Sequence, residues 1–451
     1  GTLIALDQMD HGGLTPQQVI PLLDPTAPDL LKTALQVIAS HPDWADEMLP
    51  ELRRWLARDL DEVHRMGLRQ QLLAFCRDAG IQGLIAEALH RAETPIEMKV
   101  LLLEVMARAP LDGLPTVWIE ALHDALGNRD ERVVRQAVAT VHSAGLTGFD
   151  AALLRLASDS ARSDDLRVEA LDTIAPRLRQ LAPPLFAYLR SFLNTEGPPL
   201  LRLTAARALG RAVLDDGQLL ELADEVAEAG ALQLPRLLPA FERSSTPEVG
   251  AALVRALAQA PGLASLSVET LQEALKRYPP EVRRAGEALR KRLAVTEEEK
   301  ASRLAELEPL LQQGDPRHGR EVFFGPKATC STCHTVGQEG GHVGPDLSRI
   351  GAVRSGRDLL EAVLFPSASF ARGFEPYVIA TDDGRVHAGL ITRETAEAIY
   401  LISSDRIEIA LPRASIESIE QGRVSVMPRG LDGNLSRREL ADLLAFLQSL
   451  K

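Results

Sequence analysis

Cys330-Ser331-Thr332-Cys333-His334 is the stretch on which the reading of this chain turns. Two cysteines three positions apart, followed at once by histidine, form the C-x-x-C-H pattern of covalent c-type haem attachment. The two thiols add across the haem vinyl groups as thioethers. The histidine is placed beneath the iron as its proximal ligand. Half of a zinc site is the competing reading, and it requires a second pair of ligands at comparable spacing. The only other cysteine is Cys76, far upstream in a different kind of sequence. The motif therefore implies one haem c, bound by Cys330, Cys333 and His334, with His334 on the iron.

Working outward, Asp315-Pro316 opens a short helix before the motif, with Asp as its cap and Pro in its first turn. Gly319 and Phe323 fall on one face of that helix. After the motif come Gly341-His342-Val343-Gly344-Pro345-Asp346-Leu347 and a second helix over 358–364. Arg349, Arg354 and Arg357 lie on or near it; one of them could pair with a haem propionate, although surface exposure is the default for each. A last amphipathic helix is predicted over 437–450, capped by Ser436, with Leu440, Leu443, Leu444, Phe446 and Leu447 as its apolar face. Met427 is the only methionine after Met106. Between Phe365 and Met427 the pattern turns β-like. Strands are predicted over 377–381, 386–392, 398–403 and 406–411, with a fifth over 415–420, and turns at 382–385 and 404–405.

Upstream of about Leu311 one apolar signature recurs at i, i+4, i+5 and i+8. It appears as Leu30/Ala34/Leu35/Ile38, Leu68/Leu72/Leu73/Cys76, Met98/Leu102/Leu103/Met106, Val133/Ala137/Val138/Val141, Leu166/Ala170/Leu171/Ile174 and Leu201/Ala205/Ala206/Leu209. The starts are 38, 30, 35, 33 and 35 residues apart, and Val249/Leu253/Val254/Leu257 fits again after a longer gap. Four apolar side chains on one helix face, repeated near every 35 residues, mark paired helices stacked as a solenoid. These repeats resemble HEAT-type repeats. Pro235 and Pro239 interrupt the pattern around 232–245, where a distorted repeat is expected. Cys76 shares its repeat position with Ile38, Met106 and Val141, which makes it a small core hydrophobe rather than a redox centre. A charged capping helix over 295–313 closes the region, and Gln312-Gln313-Gly314-Asp315-Pro316 breaks it.

Net charge is -13, so the chain lacks the basic face a nucleic-acid binder needs. From Asp315 onward 16 Lys and Arg stand against 18 Asp and Glu, so most of the negative charge is on the helical region. An acidic helical face could steer a basic partner; a solvated surface is the plainer explanation. No apolar run approaches a membrane span. The first residues show neither a basic segment nor a cleavage site. Because C-x-x-C-H haem is attached outside the cytoplasm in bacteria, the expectation is a periplasmic or extracytoplasmic protein processed from a longer exported precursor.

The 315–365 segment is similar to the first half of a class I cytochrome c, and Ser425-Val426-Met427-Pro428 resembles that family's methionine loop before a final helix. The resemblance implies that the Gly319 face crosses the C-terminal helix closely. It also implies that the Pro345 carbonyl accepts the second nitrogen of His334, and that Met427 is the distal iron ligand. His342 and His387 are the rival distal ligands; His342 is too near His334 in sequence to reach the other haem face readily. As a whole, 315–451 resembles the haem-binding domain at the C-terminus of large planctomycete and verrucomicrobial proteins. In that family HEAT-like repeats precede the haem domain, and a β-propeller dehydrogenase-like domain often precedes the repeats. The propeller is not in this chain.

The expected architecture is mainly α: a HEAT-like solenoid over 1–313, then a class I cytochrome c domain over 314–451 carrying a small β-barrel or sheet insertion at 373–421. The expected function is electron transfer through one His/Met-ligated haem, with the solenoid as docking scaffold for a redox protein such as a dehydrogenase. No acid–base constellation near the motif suggests an enzyme. Two alternatives use the same residues. Displaceable Met427 would give a gas sensor or peroxidase, and a sealed haem would be a staple in a protein that is mainly scaffold.

Overall fold

The structure, a computed structural model, describes residues 2–8, 14–23, 28–58, 60–111, 113–193, 198–293, 297–382, 385–395, 398–403, 406, 408–422 and 424–451. It is mainly helical, with a five-stranded antiparallel sheet and a two-stranded ribbon among the described residues. Two compact units are present, Gly1–Ala170 and Leu171–Lys451. Among the described residues no helix is long and apolar enough to cross a membrane.

In the first unit, helices alternate between two sets. Pro28–Ala39, Glu62–Ala74, Ile96–Arg108 and Glu131–Ser143 pack each on the next, and Ala45–Leu56, Ala79–His90 and Thr116–Leu126 do the same. The recurring apolar positions supply the contacts. Throughout the signature they are buried except Leu30, in the first turn of its helix, and Leu73, which is half-buried. Buried polar side chains repeat at the same interval. Gln71 Nε2 donates to the Leu35 carbonyl at 2.8 Å, and Thr140 Oγ1 donates to that of Leu103 at 3.0 Å. Each bond satisfies a buried polar group that would otherwise be costly. Cys76 is buried just past the end of its helix, and burial pushes its thiol up from the ordinary value.

The second unit begins with helices of the same kind. Gln218 Nε2 reaches the Leu181 carbonyl at 2.9 Å, and the Tyr278 hydroxyl reaches that of Phe241 at 2.8 Å. Where Pro235 and Pro239 were expected to distort a repeat, a single turn Leu234–Leu237 runs into the 3-10 stretch Leu238–Arg243. Prolines lack the N–H that a longer α-helix would use there.

Helix Glu297–Leu307 and the 3-10 turn Glu308–Gln312 precede helix Pro316–Phe324. Leu304, Leu307 and Leu310 share one hydrophobic core with Phe323, Leu360, Leu444 and Phe446, so apolar packing runs across residues 313 and 314. Asp315 caps its helix by accepting from Arg317 N–H at 2.8 Å. Its own N–H donates to Asp442, a buried carboxylate on the C-terminal helix Arg437–Ser449, at 2.7 Å. The two helices cross at Gly319, where an added Cβ would overlap the Asp442 carbonyl oxygen.

A two-stranded ribbon, β1 (Thr335–Val336) and β2 (Glu339–Gly340), follows the motif. A short helix, Ile350–Val353, and then helix Gly356–Leu364, with Ser355 as its cap, come next. The five further strands are β3 (Pro376–Thr381), β4 (Val386–Glu394), β5 (Ala398–Ile402), β6 (Glu408–Pro412) and β7 (Ile416–Gln421). They form an antiparallel sheet in the order β6-β5-β4-β3-β7. Pairings such as Ile379↔His387 and Ile379↔Ile419 put β3 between β4 and β7, and Ile379 shares a small core with Ile399, Leu401 and Leu411. One departure from the predicted strands is local. Arg406 has φ +65°, a conformation no strand residue adopts, so β6 starts at Glu408. The turns predicted at 382–385 and 404–405 include residues outside those described.

Candidate functional site

Thr329, with φ +52°, turns the chain sharply into the 3-10 turn Cys330–Thr332. The His334 N–H donates to the Cys330 carbonyl at 3.0 Å, so the motif closes one helical turn with both cysteines and the histidine on it. The following loop folds back beneath that turn. Gly341 N–H donates to the Ser331 carbonyl at 2.9 Å and Gly344 N–H to that of Cys333 at 2.8 Å. Such close return needs glycine, since a Cβ on Gly344 would lie 2.5 Å from His334 Cε1.

His334 Nδ1 is 2.9 Å from the Pro345 carbonyl oxygen. A carbonyl can only accept, so Nδ1 carries the proton in this bond. Burial holds the imidazole below its ordinary value, with the Pro345 carbonyl pulling the other way. A neutral ring protonated at Nδ1 leaves the Nε2 lone pair available as a ligand. Burial pushes the Cys330 thiol up to about 12, so it is a neutral thiol rather than a reactive thiolate.

These residues open on a cavity of about 240 Å³ with mostly apolar walls. Cys330, Cys333, His334, Pro345 and Met427 all line it. Met427 arrives on a loop pinned at its entrance, its N–H donating to Ser425 Oγ at 3.1 Å and Ser425 N–H to Ser367 Oγ at 3.0 Å. Of the three arginines, Arg354 lines the cavity, whereas Arg357 pairs with Glu308 at 2.5 Å. His342 turns to Thr335 Oγ1 at 3.0 Å, and His387 lies in β4 opposite Ile379; neither lines the cavity. Among the described residues no cluster of three or more His, Cys, Asp or Glu side chains could hold a metal ion.

Sequence reasoning missed part of the wall. Leu232 comes from the irregular helical stretch, Leu390 from β4, and Phe370 and Phe374 from the segment leading into the sheet. Only Leu232 carried a signal, lying where the helical repeat breaks down. The donor set fits a covalently held haem: two adjacent thiols, a neutral imidazole with a free Nε2, a thioether and an apolar enclosure with few polar groups.

No family model matches the chain, and no curated protein matches it. Among solved structures, the crystal structure of an engineered protein is similar at 18% identity, covering 66% of this chain and 89% of its own, with a TM-score of 0.37. A likeness that slight bears on neither the fold nor the chemistry.

Proposed function

We propose that this chain is a one-electron carrier holding a single haem c, similar to class I cytochromes c. Cys330 and Cys333 would hold the haem by thioether bonds, and His334 and Met427 would ligate its iron. The supporting observation is that all four, with Pro345, line one apolar cavity while the Pro345 carbonyl fixes the ring of His334. Bound there, the haem supplies iron that cycles between ferrous and ferric. Ligation by a soft thioether as well as imidazole would favour the ferrous state and raise the reduction potential. The chain's own residues do the rest. Pro345 orients the imidazole and makes it a stronger donor, and the apolar wall keeps water from the iron. The helical repeats, read as a HEAT-like solenoid, serve as docking surface for a redox protein, of which a dehydrogenase is one class. Haem attachment of this type would place the protein outside the cytoplasm of a bacterium.

The test is Met427→Ala. The wild type should be low-spin in both oxidation states and indifferent to carbon monoxide. The variant should keep its covalent haem, turn high-spin and bind carbon monoxide. A wild type that binds carbon monoxide as readily as the variant would shift the function to gas sensing or peroxide chemistry.

A further inference from the structure

The loop carrying Met427 is held from outside the haem-motif segment. Gly430 has φ +85° and turns the chain from Met427-Pro428 into the 3-10 turn Leu431–Asn434. That turn packs on another, Pro261–Ser265, in the helical region. A Cβ on Gly430 would sit 3.2 Å from the Ala264 Cβ, and one on Gly230 would sit 3.2 Å from the Asn434 side-chain nitrogen. Gly262 N–H donates to the Ala229 carbonyl at 2.9 Å, joining its turn to the segment around Gly230. A Cβ on Gly262 would lie 2.5 Å from the Gly230 carbonyl. Arg303 approaches Asp432 at 3.5 Å. The buried Arg202 donates to the Pro326 carbonyl at 2.9 Å, on the loop that leads into Cys330. Leu232 from the helical region and Leu431 and Leu435 from the methionine loop all face the cavity.

We propose that the segments 229–234 and 261–265 are a positioning element for the distal ligand. Ala264 and Gly230 hold Gly430 and Asn434, and the docked state of this turn sets how easily Met427 leaves the iron. The proposal rests on the haem reading above. A ligand that competes with Met427 binds the undocked form, so its apparent affinity follows the fraction undocked. The helical region is then part of the redox site, and whatever presses on these two segments is felt at Met427.

The experiment uses the full haem-loaded chain with three substitutions. Ala264→Phe forces bulk against Gly430. Arg303→Gln loosens Asp432 without adding bulk, and covers the case in which Ala264→Phe does not fold. Ala258→Phe, exposed on helix Pro247–Gln259, is the control. Two readouts are taken: hydrogen exchange over 424–435, and the affinity of the ferric protein for imidazole. Ala264→Phe should speed exchange in that loop and tighten imidazole binding about tenfold, equivalent to about 1.4 kcal/mol. Arg303→Gln should move both readouts the same way by less, and Ala258→Phe should leave them at wild type. Unchanged exchange in both test variants would overturn the docking. Faster exchange with unchanged imidazole affinity would overturn the positioning role while leaving the haem reading intact. A purified wild type without haem would overturn that reading, and with it the ligand role, whatever the exchange shows.

Discussion

The Nδ1 of His334 lies 2.9 Å from the carbonyl oxygen of Pro345, and a Cβ on the preceding Gly344 would crowd the ring at 2.5 Å. The ring is gripped on one edge by a backbone acceptor and covered on its face by a residue with no side chain. A histidine held this way has one tautomer and one orientation before any ligand arrives, which is what an axial ligand requires.

Gly344→Ala should therefore damage the site more than its size suggests. The new methyl would meet Cε1 and Nδ1 of His334 at 2.5 and 2.7 Å, so the ring or the loop must shift and the Pro345 bond weakens. The fold should lose about 1–3 kcal/mol, the usual cost of overpacking, and the ferric spectrum should show a mixed spin population. Urea unfolding and an absorption spectrum measure both. Wild-type values in each would mean that the ring is not held by this contact.

The crossing of Pro316–Phe324 on Arg437–Ser449 gives a second expectation. At Gly319 the obstructing atom is the backbone oxygen of Asp442, which cannot rotate away. Gly319→Ala should separate the helices, break the Asp315–Asp442 hydrogen bond and cost at least about 3 kcal/mol, the upper end of overpacking losses. Asp442→Asn keeps an acceptor for the Asp315 N–H and should cost less. Denaturant midpoints of the two variants decide it; equal losses would contradict the steric explanation.

A third expectation concerns acid. Lys327 lies 2.6 Å from Glu439. This contact first, and the Ser436 N–H second, hold the Glu439 carboxyl down to about 2. A carboxyl lowered in the fold stabilises it fully above the unfolded value of about 4.3. That contribution is lost as pH falls through the folded value of about 2. The melting temperature should drop across that window, and Lys327→Gln should drop less steeply there. At neutral pH the substitution should cost under about 1 kcal/mol, because the lysine is largely exposed. Parallel slopes for wild type and variant would refute the pairing.

Much of this was written in local sequence. The cap at Asp315, the helix over 356–364, the strands from β3 to β7 and the final helix each carry a period or a cap that neighbouring residues alone determine. The five expected site residues share one cavity because the motif and its loop fold locally, and the methionine loop ends at a helix with a clear start. What could not be read is pairing at a distance. Apolar periodicity tells which face of a helix is buried, not against what. Nothing near Leu390 says that it walls the same cavity as Cys330, and nothing near Ala264 says that it abuts Gly430. The Arg406 conformation was likewise invisible, because Arg406 read as the first residue of a strand following the turn at 404–405.

The most direct measurement is the intact mass of the protein after export in a host that matures c-type haem, taken under denaturing conditions beside its absorption spectrum. One haem mass retained through denaturation, with no titratable thiol at Cys330 or Cys333 and a low-spin spectrum showing the weak far-red band of methionine–iron ligation, is the expected result. An unmodified mass with both thiols free would contradict the proposed function at its root.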